Sequence, residues 1–117
     1  MAHLGIDYTA PIGRKVYASA NGKIIYKNRK GGYGKTIIIK HKDGYQTLYA
    51  HLNKYKYTLK VGQFIKQGQH IGYVGTTGLS TGPHLHFGLY KNKKAINPDK
   101  IITVKQSILK GKKKKNF

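Results

Sequence analysis

Short runs of Ile, Val, Thr and Tyr, separated by glycine-rich turns, run through most of this 117-residue sequence. β-branched and aromatic residues favour strands, and the fifteen glycines mark turns between them. The sequence therefore predicts an antiparallel all-β domain, closed or packed as a small barrel or sandwich. Five strands are predicted, at Lys23–Lys27, Thr36–His41, Tyr45–His51, His70–Val74 and Leu85–Tyr90.

Asp43-Gly44 is the strongest turn signal in the chain. An Asp-Gly pair between two strand-like runs is typical of a β-hairpin, so the strands on either side of it are expected to pair. The only helix predicted is a single turn at Pro98–Ile102. The chain has the length of one domain, which we expect to span residues 1–109 and to be followed by a basic disordered tail at 110–117.

The charge is strongly one-sided, with 23 Lys and Arg against three Asp and no Glu, for a net charge of +20. Such an excess indicates an anionic partner, whether nucleic acid, an acidic membrane or an acidic polymer such as cell wall. Only Arg14 and Arg29 are arginines. Because specific readers of bases and phosphates rely on the bidentate arginine fork, a specific nucleic-acid reader is disfavoured.

Some classes of protein are excluded by what the sequence lacks. With no cysteine, disulfides and thiolate metal sites are impossible. No apolar run reaches about 18 residues, so no transmembrane segment is predicted. No signal peptide is visible, so we expect the chain to be either part of a larger exported protein or exported by other means.

Two histidines, His84 and His86, alternate in the last predicted strand, opposite the apolar Leu85 and Phe87. Side chains two apart share a face of a strand, so both imidazoles should face a cleft while the apolar residues face the core. The same alternation places His51 on one face with Tyr49. Three histidines on such faces indicate more than a structural role.

A distant His3 and Asp7, four residues apart, complete the ligand types of a catalytic zinc site. Zinc takes neutral imidazole nitrogen and carboxylate oxygen and keeps one position open in catalytic sites. Either a helical or a bent extended geometry around Gly5 can bring the two to a metal. Since the chain has no Glu, the general base is a histidine or a remote Asp, which points to His51 or His84.

The motifs His3-x-x-x-Asp7, Tyr49-Ala50-His51-Leu52 and His84-Leu85-His86 resemble those of the lysostaphin/LytM-type zinc metallopeptidases that cut peptidoglycan. The stretches Gly72–Gly78 and Ser80–Pro83 are similar to the segment before that family's His-x-His. The resemblance covers roughly Ala2 to Ile102, and three motifs in this order are highly specific. In detail the sequence is similar to the cell-shape endopeptidases of epsilonproteobacteria, which act on crosslinked stem peptides.

This resemblance implies an all-β lysostaphin-type domain, a duplicated-hybrid-like fold, with one Zn²⁺ per chain. It implies that His3, Asp7 and His86 bind the metal, and that His51 and His84 serve as general base and transition-state stabiliser. The implied reaction is hydrolysis of peptide crosslinks of peptidoglycan, at D-Ala-diaminopimelate rather than pentaglycine. The implied location is the cell envelope or periplasm, or outside the cell.

Two other functions compete with the enzyme. The first is a non-catalytic cell-wall-binding or regulatory module on the same fold; such relatives typically lose metal ligands, whereas this chain keeps all of them. The second is a basic nucleic-acid-binding β-domain with tyrosines suited to stacking, which leaves the His and Asp pattern unexplained. His41 and His70 match no motif, and both are predicted to be exposed and without a catalytic role.

Overall fold

The computed structural model of the protein describes residues 5–97. Nine antiparallel strands make up nearly all of its regular structure, which confirms the all-β prediction. They are β1 Ile6–Thr9, β2 Lys15–Tyr17, β3 Gly22–Arg29, β4 Lys35–Lys40, β5 Tyr45–Tyr55, β6 Phe64–Ile65, β7 His70–Val74, β8 His84–Lys91 and β9 Lys94–Ile96. Two single 3₁₀ turns, Gly31–Tyr33 and Lys42–Gly44, are the helical elements of this range.

The strands form one sheet in the order β1-β8-β5-β4-β3-β6. The second half of β5 leaves this path to pair with β7, which in turn pairs with β2, and β9 is added to β8. The sheet does not close into a barrel. Among the described residues, no helix is long and apolar enough to cross a membrane.

All five predicted strands are present, and the predicted hairpin joins β4 to β5. Asp43 and Gly44 both have positive φ, 59° and 81°, as the tight connection requires. Strands β1, β2, β6 and β9 were missed because two to four residues are too few to show alternation. The predicted helical turn at Pro98–Ile102 and the tail at 110–117 lie outside the described residues.

The core lies on one face of the sheet, where the alternating Leu85, Phe87 and Leu89 of β8 are at most 5% exposed. Phe87 meets Tyr49 edge to face, with ring centroids 5.5 Å apart. Fully burying a side chain of this kind contributes about 1.5–3 kcal/mol. The opposite face of β8 carries His84 and His86, as the alternation predicts.

A buried chain of hydrogen bonds crosses this core and includes His41. Its Nε2 lies 2.7 Å from Thr47 Oγ1, which lies 2.8 Å from Tyr49 Oη, and that hydroxyl also contacts Ser19. His41 is only 8% exposed, so the prediction of an exposed residue was wrong. The lysines beside it face solvent, but its own ring turns inward, where Thr47 and the Asn21 carbonyl satisfy both nitrogens.

His70 is also less exposed than predicted. It is half-buried on β7, with its ring 4.7 Å from the Tyr73 ring and 6.0 Å from the Tyr17 ring. Its Nε2 lies 2.9 Å from the Gly72 carbonyl oxygen. Neighbouring aromatic rings, which alternation along one strand does not reveal, cover this histidine.

Candidate metal and catalytic site

The pairing of β1 with β8 brings together two residues that are 79 positions apart in the chain. Asp7 stands directly opposite His86, and His86 stands opposite Ala50 of β5 on its other side. The Asp7 Oδ1–His86 Nδ1 distance is 2.8 Å. Both side chains therefore share the face of the sheet opposite the core.

Two neighbours fix the orientation of the His86 ring. A Cβ placed on Gly5 would lie 2.6 Å from His86 Nε2, so the chain at Gly5 closes off that edge of the ring. On another side the Tyr33 ring stacks on the imidazole, with centroids 5.5 Å apart and an interplanar angle of 23°. His86 consequently presents Nδ1, and not Nε2, to Asp7.

His84 lies on the same face, one pleat along β8, and is oriented through its own Nδ1. That nitrogen donates to the Gly82 carbonyl at 2.9 Å, which leaves Nε2 directed toward the site, 3.7 Å from Asp7 Oδ1. The His84 and His86 side chains are 20% and 22% exposed, whereas Asp7 is 64% exposed. Solvent and ligands can therefore reach this group of side chains.

His51 reaches the site by a different route from the one that alternation predicts. Strict alternation would send it with Tyr49 into the core, because Tyr49 pairs with the core residue Phe87. Instead His51 has φ 59°, and the pairing of β5 with β4 shifts register beside it. This bulge re-aims the side chain, so its ring lies 4.8 Å from that of His84 and 6.1 Å from that of His86.

The environment of His51 favours a neutral imidazole. Burial is the main cause that lowers its pKa below the usual value, and the nearby His84 and His86 lower it further. The Thr77 carbonyl, 2.8 Å from Nδ1, and the Asp7 carboxylate oppose this only in part. A neutral ring that donates through Nδ1 keeps Nε2 unprotonated and able to accept a proton.

The residues present fit a zinc ion in donor type. Asp7 Oδ1 and His86 Nδ1 are hydrogen-bonded at 2.8 Å, and because two ligand atoms at about 2.1 Å from a tetrahedral zinc are about 3.4 Å apart, they would exchange the shared proton for the metal and separate by roughly half an ångström. Within residues 5–97 no group of three such side chains forms a complete metal site. The third predicted ligand, His3, lies outside the described residues.

Sequence reasoning missed two residues that border this site, Tyr33 through its ring and Thr77 through its carbonyl. Tyr33 also contacts Tyr90, whose pKa is raised to about 12 by burial first and by the Tyr33 hydroxyl second. Tyr33 stands between glycines in the Gly31–Gly34 turn, which gave a turn signal but no functional one. Thr77 lies in the stretch whose family likeness was noted without a role for any one residue.

Comparison with known proteins identifies the family of the chain. Residues 1–98 match the model of peptidase family M23. The DD-carboxypeptidase/endopeptidase Mpg of Neisseria meningitidis is 49% identical over 96 residues, 82% of this chain. The chain spans only 22% of the length of Mpg.

Solved structures of relatives share the fold. The catalytic domain of lysostaphin from Staphylococcus simulans superposes with a TM-score of 0.79 at 38% identity, covering 86% of this chain and 79% of that one. Helicobacter pylori Csd3 gives a TM-score of 0.76 at 44% identity over 84% of this chain and 26% of its own, in line with the expected likeness to epsilonproteobacterial proteins. A zinc-containing peptidase from Vibrio cholerae gives 0.76 at 39% identity over 81% of this chain and 29% of its own. The chain belongs to peptidase family M23.

Proposed function

We propose that this chain is the catalytic domain of a zinc-dependent endopeptidase that hydrolyses peptide crosslinks of bacterial peptidoglycan, at the D-Ala-diaminopimelate bond. The observation that carries the proposal is the convergence of Asp7, His86, His84 and His51 from three strands on one accessible face of the sheet. Mpg, named as a DD-carboxypeptidase/endopeptidase, supports the choice of bond.

Asp7 and His86, with His3, would hold the zinc ion. When bound there, zinc would act as a Lewis acid on the scissile carbonyl and make water a better nucleophile near neutral pH. Asp7 supplies an anionic oxygen and His86 a neutral nitrogen. The contacts of Gly5 and Tyr33 with the His86 ring keep Nδ1 turned toward that position.

His51 is proposed as the general base. Its Nδ1 donates to the Thr77 carbonyl, so Nε2 accepts the proton of the attacking water and later returns it to the leaving amine. The lowered pKa of His51 keeps the ring unprotonated at neutral pH, which a base requires.

His84 is proposed as the stabiliser of the developing oxyanion. The Gly82 carbonyl fixes its Nδ1, and its Nε2 lies 3.7 Å from the Asp7 carboxylate. With a hydrogen on each nitrogen, His84 would donate a hydrogen bond from Nε2 to the oxyanion as negative charge develops. Because the ring is tied at Nδ1, this donor would need no reorientation during the reaction.

The surface charge supports an anionic substrate. Stem peptides of peptidoglycan carry free carboxylates, and the net charge of +20 would favour their approach. The only carboxylates among residues 5–97 are Asp7 and Asp43. We further propose that the chain works in the cell envelope or outside the cell, as part of a larger exported protein.

Digestion of defined muropeptides tests the proposal. Purified dimers with a D-Ala-diaminopimelate crosslink, and a pentaglycine-bridged control, are incubated with wild type, His51→Ala, His84→Ala and the matched control His70→Ala. We expect wild type and His70→Ala to release monomers from the first substrate only, with at least a hundredfold loss for the two site variants. Binding of peptidoglycan without cleavage by wild type would instead favour a cell-wall-binding or regulatory module.

A further inference from the structure

Thr77 makes three hydrogen bonds beside the proposed general base. Its carbonyl accepts from His51 Nδ1 at 2.8 Å. Its hydroxyl accepts from the Lys35 amide at 3.0 Å and donates to the Leu52 carbonyl at 2.7 Å. Thr77, in the segment between β7 and β8, therefore links β4 to β5 and also holds the His51 ring.

The Thr77 hydroxyl stands where the regular ladder is interrupted. The pairing of β4 with β5 shifts register between Lys35 and Ile37. On β5 this shift falls at His51, which has a positive φ. A bulge disturbs the local hydrogen bonds of a sheet, and backbone groups that lose water need other partners. Thr77 Oγ1 bridges the Lys35 amide and the Leu52 carbonyl, and so supports the distortion that turns His51 toward the site.

The turn that carries Tyr33 packs on the same segment. Leu79 N donates to the Gly32 carbonyl at 2.8 Å. A Cβ on Gly34, which has φ 67°, would lie 2.5 Å from Thr77 Oγ1, so this approach excludes any side chain. Because Tyr33 stacks on His86 and the Thr77 carbonyl holds His51, the contact between residues 31–34 and 77–79 links the supports of both imidazoles.

We propose that Thr77 is a positioning residue for this site. Its hydroxyl fixes the segment so that its carbonyl holds His51 with the proton on Nδ1, which leaves Nε2 as the accepting nitrogen. Groups that orient an active-site imidazole select its tautomer in this way. The kinetic consequence rests on the proposed peptidase function, whereas the tautomer of His51 does not.

The kinetic test compares Thr77→Val, which removes the hydroxyl at nearly constant shape, with Thr77→Ser, which keeps it. We expect Thr77→Val to lower kcat by about 10–100-fold with little change in KM. Thr77→Ser should keep most of the wild-type kcat. Thr58→Val is the matched control, because Thr58 is exposed and shows no side-chain hydrogen bond within the described residues. If Thr77→Val does not fold, Thr77→Ala replaces it in the comparison.

The spectroscopic test uses long-range ¹H–¹⁵N correlation of the imidazoles in the metal-free 117-residue chain at pH 8, with the His51 signals identified by their loss in His51→Asn. Wild type, Thr77→Ser and Thr58→Val should show His51 protonated on Nδ1, and Thr77→Val a mixture of tautomers. The proposal would be overturned if Thr77→Val kept the wild-type tautomer and kcat, or if Thr77→Ser lost as much kcat as Thr77→Val. If wild type cleaves no muropeptide, the peptidase proposal fails, while the tautomer comparison still decides the role of Thr77.

Discussion

Two buried tyrosine hydroxyls show how much one polar atom depends on its partners. Tyr49 Oη contacts the Ser19 amide at 3.1 Å, Ser19 Oγ at 3.0 Å and Thr47 Oγ1 at 2.8 Å. Tyr55 Oη is buried without a well-formed hydrogen bond among residues 5–97, although the Thr36 backbone is near enough to oppose the rise of its pKa that burial causes. The first hydroxyl completes a network, whereas the second is a buried polar group with only weak support from the Thr36 backbone.

Removing each hydroxyl should therefore have opposite consequences. Tyr49→Phe leaves Ser19 and Thr47 with lost partners and should lower the free energy of unfolding by about 1–3 kcal/mol. Tyr55→Phe removes a poorly compensated group and should be close to neutral or stabilising. Urea unfolding of both variants measures the difference, and equal losses of stability would contradict this account of the core.

His70 gives a pH dependence with a definite sign. Its pKa is lowered, mainly by burial and then by the positive Lys56 and Lys15, against the opposing Gly72 carbonyl. The unfolded chain, with an ordinary pKa of about 6.5, binds a proton more readily than the folded one. The contribution of His70 to stability is thus complete above about pH 6.5 and is lost as the pH falls through the folded-state pKa.

His70→Gln should remove this dependence. Between pH 8 and pH 5 we expect the urea midpoint of wild type to fall further than that of the variant, since only wild type carries the proton-linked term. The contribution of every other histidine cancels when the fall in midpoint of the variant is subtracted from that of wild type. A variant that loses as much stability as wild type over this range would show that His70 is not the cause.

At the scale of elements, the hairpin between β4 and β5 docks on the turn between β8 and β9. The Asn92 amide donates to the Gly44 carbonyl at 2.9 Å, and Lys91 Nζ donates to the Asp43 carbonyl at 2.9 Å. Gly44 has φ 81°, and a Cβ there would collide with the Asn92 side chain. Gly44 thus serves both the turn and its packing on a second turn.

A comparison with Gly13 separates these two effects, because Gly13 also has a positive φ, 95°, but open space around its Cβ position. Gly13→Ala should cost about 1–2 kcal/mol from backbone strain alone. Gly44→Ala should cost up to about 1 kcal/mol more, because the end of the Asn92 side chain must also move. Thermal unfolding of both variants measures this, and equal shifts in Tm would mean that the docking contact contributes nothing.

Alternation and turn chemistry predicted the long strands because each was long enough to repeat its pattern. The same logic placed His84 and His86 on the face opposite Leu85 and Phe87, as found. The same logic failed for His51, because a bulge at that residue turns its side chain to the opposite face of the sheet. Such a bulge leaves no mark in the pattern of apolar and polar residues. The contacts that Tyr33 and Thr77 make with the site arise from loop packing between distant segments, which no local pattern encodes.

At the scale of the whole molecule, the scarcity of carboxylates makes the site distinctive. Asp7 and Asp43 are the only carboxylates among residues 5–97, and Asp7 stands in the histidine cluster. The sheet order carries β1 to the edge of β8 and so sets this one anion beside three imidazoles. The net charge of +20 around this one site favours the approach of anionic ligands.

Cleavage of peptidoglycan crosslinks is proposed to depend on the metal ion that this cluster would hold. The measurement is zinc content by elemental analysis, paired with digestion of purified crosslinked peptidoglycan before and after chelation, for wild type and His86→Ala. We predict about one zinc per wild-type chain, conversion of dimeric muropeptides to monomers that stops with chelator and returns with zinc, and neither property in His86→Ala. Cleavage that persists in zinc-free wild type, or in His86→Ala, would contradict the account.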